Sequence, residues 1–338
     1  MDNKIIKEIN LLCNLVFNQN CTKVSFLLPD IFKKYRFESR LYSLKEIYFL
    51  IKEKIEKLDI HSVQLQNIDI PQMKNMPKKL EKVVSIYNNN QCFDYIIHGS
   101  YSDDTYTEAS DVDDFIIIKK ETFESFKNFK KVYYILKMTN LHYQYVDPVQ
   151  HHGHWIVTEF DLLDYDNSVI PIFVLIKNSF SIGRKITISY SLVENKKIDG
   201  IFNMILDELR CESMKLFANK INIFSLKNLI SAVTLLIPLH YQLKGLDLDK
   251  KEAIERAKIE FDMGDLELLE WSTQLRNNWS SVRGYRYYIW IRMFNWLFQN
   301  RSLTVFLSGY FLPKIGIDEI PDIKKTYLEK FIYRIKSI

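Results

Sequence analysis

Glycine and proline are scarce, with 9 and 8 in 338 residues. Long disordered linkers are usually rich in both, so the chain is expected to fold over most of its length. Cysteine is scarcer still. Cys13, Cys21, Cys92 and Cys211 are scattered and form no C-x-x-C pair. That spacing fits buried or free thiols in a reducing compartment, not a disulfide framework. An excess of one charge is also missing: 46 Lys and Arg against 42 Asp and Glu leave +4. Such a balance permits an anionic substrate such as a nucleotide without demanding a nucleic acid. Long apolar runs are absent too. The most apolar stretch, Leu229 to Leu239, has Pro238 and His240 at its end, is too short to span a bilayer, and reads as a buried helix. The segment Met1-Asp2-Asn3-Lys4 enters an amphipathic pattern at once instead of an apolar run, so a cytoplasmic protein with no membrane partner is expected.

What is present supports a large core. Hydrophobic residues make up 47 %, including 20 Tyr and 22 Phe. The length exceeds one typical domain. Apolar positions in 4–17 (Ile5, Ile6, Ile9, Leu12, Val16, Phe17) and in 44–58 (Ile47, Leu50, Ile51, Ile55, Leu58) follow helical spacing. Residues 67–77, with Pro71 and Pro77, read as a connector, and Lys78 to Tyr87 as a helix. Phe93 to His98 and Phe115 to Ile118 are short apolar runs of buried-strand type. Glu124 to Met138 reads as a helix. Tyr143 to Val146 and Trp155 to Thr158 read as two strands of a hairpin around Gln150-His151-His152-Gly153. From Phe202 onward the pattern is helical throughout. The fold class is therefore α+β: a helical cap and connector over 1–77, a small mixed-sheet core over 78–190, and a helical domain over 191–338 that closes over the core.

The informative stretch is His98-Gly99-Ser100 followed by Asp111-Val112-Asp113-Asp114-Phe115-Ile116-Ile117-Ile118. A glycine directly after a buried strand lets the backbone turn tightly and approach a ligand closely. The serine adds a hydroxyl and an amide N–H, groups suited to a polyphosphate at a strand-to-helix turn. Strand residues i and i+2 share a face, so Asp111 and Asp113 project together while Val112 points inward. Two such carboxylates repel each other unless a cation sits between them. Hard oxygens with few protein contacts are what Mg²⁺ uses when phosphates complete its shell.

This arrangement resembles the DNA polymerase β-like nucleotidyltransferase superfamily. Its signature is Gly-Ser at the end of one strand, a short helix, then Asp-x-Asp at the start of the next. The resemblance covers roughly residues 93–118. It implies that Gly99 and Ser100 hold the nucleotide's β,γ-phosphates and that Asp111 and Asp113 bind Mg²⁺ or Mn²⁺. It further implies that a hydroxyl attacks the α-phosphate of a nucleoside triphosphate and releases pyrophosphate. The acidic Asp103-Asp104 directly after the loop departs from the small or basic residues many members carry. The acceptor is expected to be a small molecule or a protein, because no strong basic stripe suggests long RNA. Alternatives on the same core are a synthase of cyclic or linear oligonucleotide signals and, from another class, a catalytically inactive nucleotide-binding or interaction protein. The presence of both Asp111 and Asp113 speaks against the last.

The resemblance also implies a third carboxylate, for which Asp147, Glu159 and Asp161 are the candidates. Phe160-Asp161-Leu162-Leu163 has the family's apolar-Asp-apolar look, but the hairpin reading selects Asp147. A strand at Tyr143 to Val146 running antiparallel to Phe115 to Ile118 would deliver Asp147 to the edge where Asp111 and Asp113 begin their strand. Asp161, seven residues beyond His154, would lie roughly 20 Å or more from that edge, and it precedes Leu162 as a helix N-cap would.

Four of the seven histidines fall between His142 and His154. A zinc site or an acceptor-activating histidine among His151, His152 and His154 competes with a structural polar turn, which is the commoner case. Lys244, Lys250 and Lys251 flank the turn Gly245-Leu246-Asp247. The resemblance implies a lysine from the helical domain on the triphosphate, and Lys244 is the residue selected, against the plainer reading of a solvated basic turn. Arg276, Trp279, Arg283, Arg286 and Tyr287 mix basic and aromatic residues, and a helical core face accounts for them best.

Overall fold

In the computed structural model, the described residues are 3–17, 43–58, 64–78, 80–81, 91–150, 153–167, 170–193, 198–282, 287–298, 307, 309–315, 320 and 325–335. Helices α1 (Asn3–Phe17) and α2 (Leu44–Glu56) open the chain. In α1 the buried residues Ile6, Ile9, Cys13 and Val16 recur at helical spacing. A capping box, Ser43 with Glu46, starts α2. Strand β1 (Gln66–Ile70) forms within the segment read as a connector. It pairs antiparallel with β7 (Ile186–Tyr190), a partner 116 to 124 residues away that local sequence does not announce. The helix expected over 78–87 lies mostly outside the described residues.

The central sheet has four strands in the order β4-β3-β2-β6: Trp155–Thr158, Asp113–Ile118, Phe93–His98 and Ser179–Ser181. β2 is antiparallel to β3 and β6, while β3 and β4 are parallel, so the sheet is mixed. The two-residue strands β5 (Tyr165–Asp166) and β8 (Leu192–Val193) pair beside it. β2 and β3 are buried over nearly their whole length, as apolar runs in a sheet covered on both sides should be.

Alternation sorts β3 between two cores. Val112, Ile116 and Ile118 pack with α1, α2 and α3 (Phe126–Val146). Phe115 and Ile117 pack with β1, β7 and α4 (Ile172–Lys177) on the other face. Asp114 therefore points toward the α3 side, and Asp113 shares the opposite face.

Helix α3 corrects the hairpin reading. Residues 143–146 are its last turn, not a strand, and Asp147 is its C-cap. The buried stripe Phe129, Val132, Leu136, Thr139 and Tyr143 continues the helical period unbroken past Met138. The short alternation Tyr-Gln-Tyr-Val looks like a strand only when cut from that longer pattern.

The C-terminal half comprises α5 (Ile198–Phe217), α6 (Ile223–Leu243), α7 (Lys250–Glu260), α8 (Met263–Asn277), α9 (Tyr288–Phe298) and α10 (Lys325–Arg334), all helical as the periodicity implies. α6 is long and apolar enough to cross a bilayer, yet 78 % of its apolar window is buried at the centre of this helical core. Ala109 and Val149, from loops at the sheet edge, join the same core. This edge of the sheet is thereby pressed against the helices.

Candidate active site

The site forms where β2 ends and β3 begins. His98 pairs with Asp113 across the ladder, so the loop after His98 and the start of β3 share one edge. Gly99 has φ +69°, the left-handed region that favours glycine. A β-carbon there would stand 2.5 Å from Oδ2 of Asp113. Gly99 is thus required twice, for its backbone angle and for the space the carboxylate occupies. A 3₁₀ turn, Gly99–Tyr101, follows. It is pinned by Ser102, whose Oγ lies 2.6 Å from the Gly99 carbonyl and 2.7 Å from that of Asn178.

The start of β3 is held by Gln150. Its carboxamide oxygen accepts from Val112 N–H at 2.9 Å and its amide donates to Val112 C=O at 3.0 Å. Both backbone groups of the residue between the two aspartates are gripped as a neighbouring strand would grip them. The turn that carries Gln150 also carries Asp147, whose Oδ1 accepts from Val149 N–H at 3.0 Å.

Asp111, 8 % exposed, and Asp147, 1 % exposed, meet at Lys227 of α6, itself 1 % exposed. Lys227 Nζ donates to Asp111 Oδ1 at 2.7 Å and also to Asp147 Oδ2. Burial, and then the Asp111 charge, push the Asp147 carboxyl up to about 7, against the opposing pull of Lys227. Asp147 thus reaches the edge that was expected for it, though as the cap of a helix.

Three further groups face both Asp111 and Asp113. The Tyr101 hydroxyl is raised above its usual range by burial, then by Asp147, Asp111 and Asp113. Arg276 is half-buried. Burial draws its guanidinium down while Asp111 and Asp113 pull it back up. Lys250 is exposed as a residue, but its ammonium sits among enough protein atoms that desolvation, and then Arg276, bring it down to about 7. Asp113, Asp103 and Asp111 oppose that shift. The helices bearing these cations are tied to the sheet edge. Asn178 Nδ2 donates to Asp249 Oδ2 at 2.9 Å, Lys177 pairs with Glu252 at 2.7 Å, and Ser280 N–H donates to Glu108 at 2.7 Å.

Other expectations meet different outcomes. Lys244 caps the far end of α6, 17 residues from Lys227, which is about 25 Å along a helix. Its charge acts on His240 and Glu260 instead. Glu159 and Asp161 lie beyond the C-terminal end of β4, at the edge opposite Asp113 because β3 and β4 are parallel. Asp161 accepts from Thr158 N–H and Oγ1, each at 2.6 Å, which is a structural task. His151 and His152 lie outside the described residues. His154 is buried against Asp114, not displayed for a metal.

Lys227, Gln150 and Tyr101 were not singled out in the sequence. Lys227 carried a signal: a lysine between Leu226 and Asn228-Leu229, inside an apolar helix, is costly to bury unless paired. Gln150 carried none, because its role depends on α3 returning to the sheet edge.

Residues 77–150 match a family model described as a nucleotidyltransferase domain. Over these residues the chain is similar to nucleotidyltransferase domains, consistent with the polymerase β-like superfamily. The match spans the Gly99 loop, the paired aspartates and the turn with Asp147 and Gln150. No curated protein and no solved structure matched the chain. The match supports a transferase and implies a nucleoside triphosphate as its substrate.

Proposed function

We propose that the protein transfers a nucleoside monophosphate from a nucleoside triphosphate to a hydroxyl on a small molecule or protein, with a divalent metal ion. The observation that carries this reading is the convergence of Asp111 and Asp113 beside Gly99, faced by Lys250 and Arg276 from the helices. Among the described residues no three His, Cys, Asp or Glu side chains form a ready-made metal cluster. Two carboxylates at the entry to β3, beside the Gly99 turn, nevertheless fit Mg²⁺ or Mn²⁺, which take much of their shell from water and phosphate oxygens. Asp111 and Asp113 would hold such an ion, which would supply neutralisation of phosphate charge.

The chain's own residues then have distinct tasks. The Gly99–Ser100 turn offers backbone N–H groups and a hydroxyl to the β,γ-phosphates. Lys250 and Arg276 balance the charge that the leaving pyrophosphate accumulates. The acceptor oxygen bonds the α-phosphorus, its proton passes to water or carboxylate, and the bond to the β-phosphate oxygen breaks. Incubation with α-labelled triphosphates and Mg²⁺ or Mn²⁺, with and without cell extract, tests the reading. Label transfer by the wild type and none by Asp113→Asn supports it. No transfer under any of these conditions overturns it. Cyclic or linear oligonucleotide products would instead assign the protein to signal synthesis on the same core.

A further inference from the structure

Lys227 is an unusual neighbour for a metal site. Its ammonium lies between Asp111 and Asp147, at 2.7 Å from the first and in direct contact with the second, and all three groups are buried. A lone buried ammonium would be strongly destabilising, as would two buried carboxylates without a cation. The triad is stable only as a unit. Asp147 is also engaged on its other oxygen by Val149 N–H. The place between Asp111 and Asp147, where a divalent ion would bridge two carboxylates, is therefore filled by a side chain from α6.

We propose that Lys227 is a resident cation of the active site: it replaces a metal ion on Asp147 and leaves Asp111 and Asp113 as the protein's metal-binding pair. This rests on the nucleotidyltransfer reading for its context but not for its evidence. Lys227 also links the helical core to the sheet edge, so it fixes Asp111 before any ion arrives. Asp147 is then a positioning residue, which sets Lys227 and carries the turn that presents Gln150 to Val112.

The test is metal binding and thermal stability without nucleotide, using Mn²⁺ as the probe. In the wild type, Asp113→Asn should weaken Mn²⁺ binding at least about ten-fold, whereas Asp147→Asn should change it by less than about three-fold. Lys227→Met removes the ammonium and should lower the melting midpoint. Mn²⁺ should then raise that midpoint by several degrees more than it raises the wild type's, by taking the vacated place. The double variant Lys227→Met/Asp147→Asn removes both buried charges. It should fold even if the single variant does not, and should show no such extra gain. Loss of Mn²⁺ affinity in Asp147→Asn equal to that in Asp113→Asn would overturn the proposal, as would a folded Lys227→Met without extra Mn²⁺ stabilisation. If Lys227→Met does not fold, the Asp147→Asn and Asp113→Asn affinities decide alone. Because turnover is not measured, a protein that transfers no nucleotide can still pass this test, and an active one can fail it.

Discussion

Asp113 and Asp114 are adjacent in the chain and belong to different regions of the molecule. Asp113 lies on the open edge, against Gly99 and within reach of Lys250 and Arg276. Asp114 is fully buried under α3. It accepts from Tyr143 Oη at 2.7 Å and Trp155 N–H at 3.1 Å, and it contacts His154 Nδ1. His154 Nε2 faces the Leu136 carbonyl, which can only accept, so Nε2 carries a proton. Tyr95 and Tyr143 extend the network through their hydroxyls. One carboxylate stays half-buried at the edge of the sheet and the other is consumed by the core. The two-residue period of β3 makes the division, so a count of aspartates cannot reveal how the three from 111 to 114 divide between the edge and the core.

The sharpest break of this comparison is to remove each charge in turn. Asp113→Asn should lower turnover at least about a thousand-fold, since a metal contact stabilises the transition state by several kcal/mol. Its stability should hold or rise as repulsion from Asp111 is relieved. Asp114→Asn should do the reverse, costing about 3–5 kcal/mol in denaturant unfolding by breaking a buried pair. Whatever folds should keep most of its turnover. Equal loss of activity in two stable variants would erase the distinction.

Gly99→Ala probes the contact between the loop and Asp113. The added methyl would displace the carboxylate from 2.5 Å, and the left-handed backbone adds about 1–2 kcal/mol. Nucleotide turnover should fall about a hundred-fold while the fold survives. Unchanged triphosphate affinity and turnover in a folded variant would reject the loop's assignment. Gln150→Met acts one layer further out. It leaves Val112 N–H and C=O without their partners, for about 1–3 kcal/mol of stability and about a ten- to hundred-fold loss of Mn²⁺ affinity. A variant that loses stability but binds Mn²⁺ normally would make the clamp purely structural.

The smallest effect belongs to the cationic side. Lys250, brought down to about 7, is charged below that pH and loses its proton as pH rises through it. The KM for triphosphate should therefore rise a few-fold between pH 7 and 9. Lys250→Arg stays protonated throughout and should flatten that profile. A wild-type KM that is level over this range would remove Lys250 from the triphosphate site.

The elements that proved legible were those defined by neighbours in the chain. Apolar runs marked β2 and β3, and helical spacing marked α1, α2 and the C-terminal helices. Gly99 and the Asp-x-Asp pair stood out because their spacing is itself local. The last turn of α3 looks like a strand because its four alternating residues, taken alone, hide the helical stripe from Phe129 to Thr139 that precedes them. Asp147 was reached by a strand argument that the helix replaces. Lys244 was selected for its place beside a turn, yet helix length alone separates it from the carboxylates by about 25 Å.

Chain-local chemistry thus determined a glycine turn after β2 and two carboxylates at the entry to β3, because periods of 2 and 3.6 residues and a tight glycine turn are short-range properties. Tertiary packing decided which cations meet them. Lys227 lies 116 residues from Asp111 and 80 from Asp147. Its partners depend on how α6 buries its apolar faces against the sheet edge. No local pattern encodes that choice, since a lysine's charge acts over a few ångströms in space and is indifferent to distance along the chain.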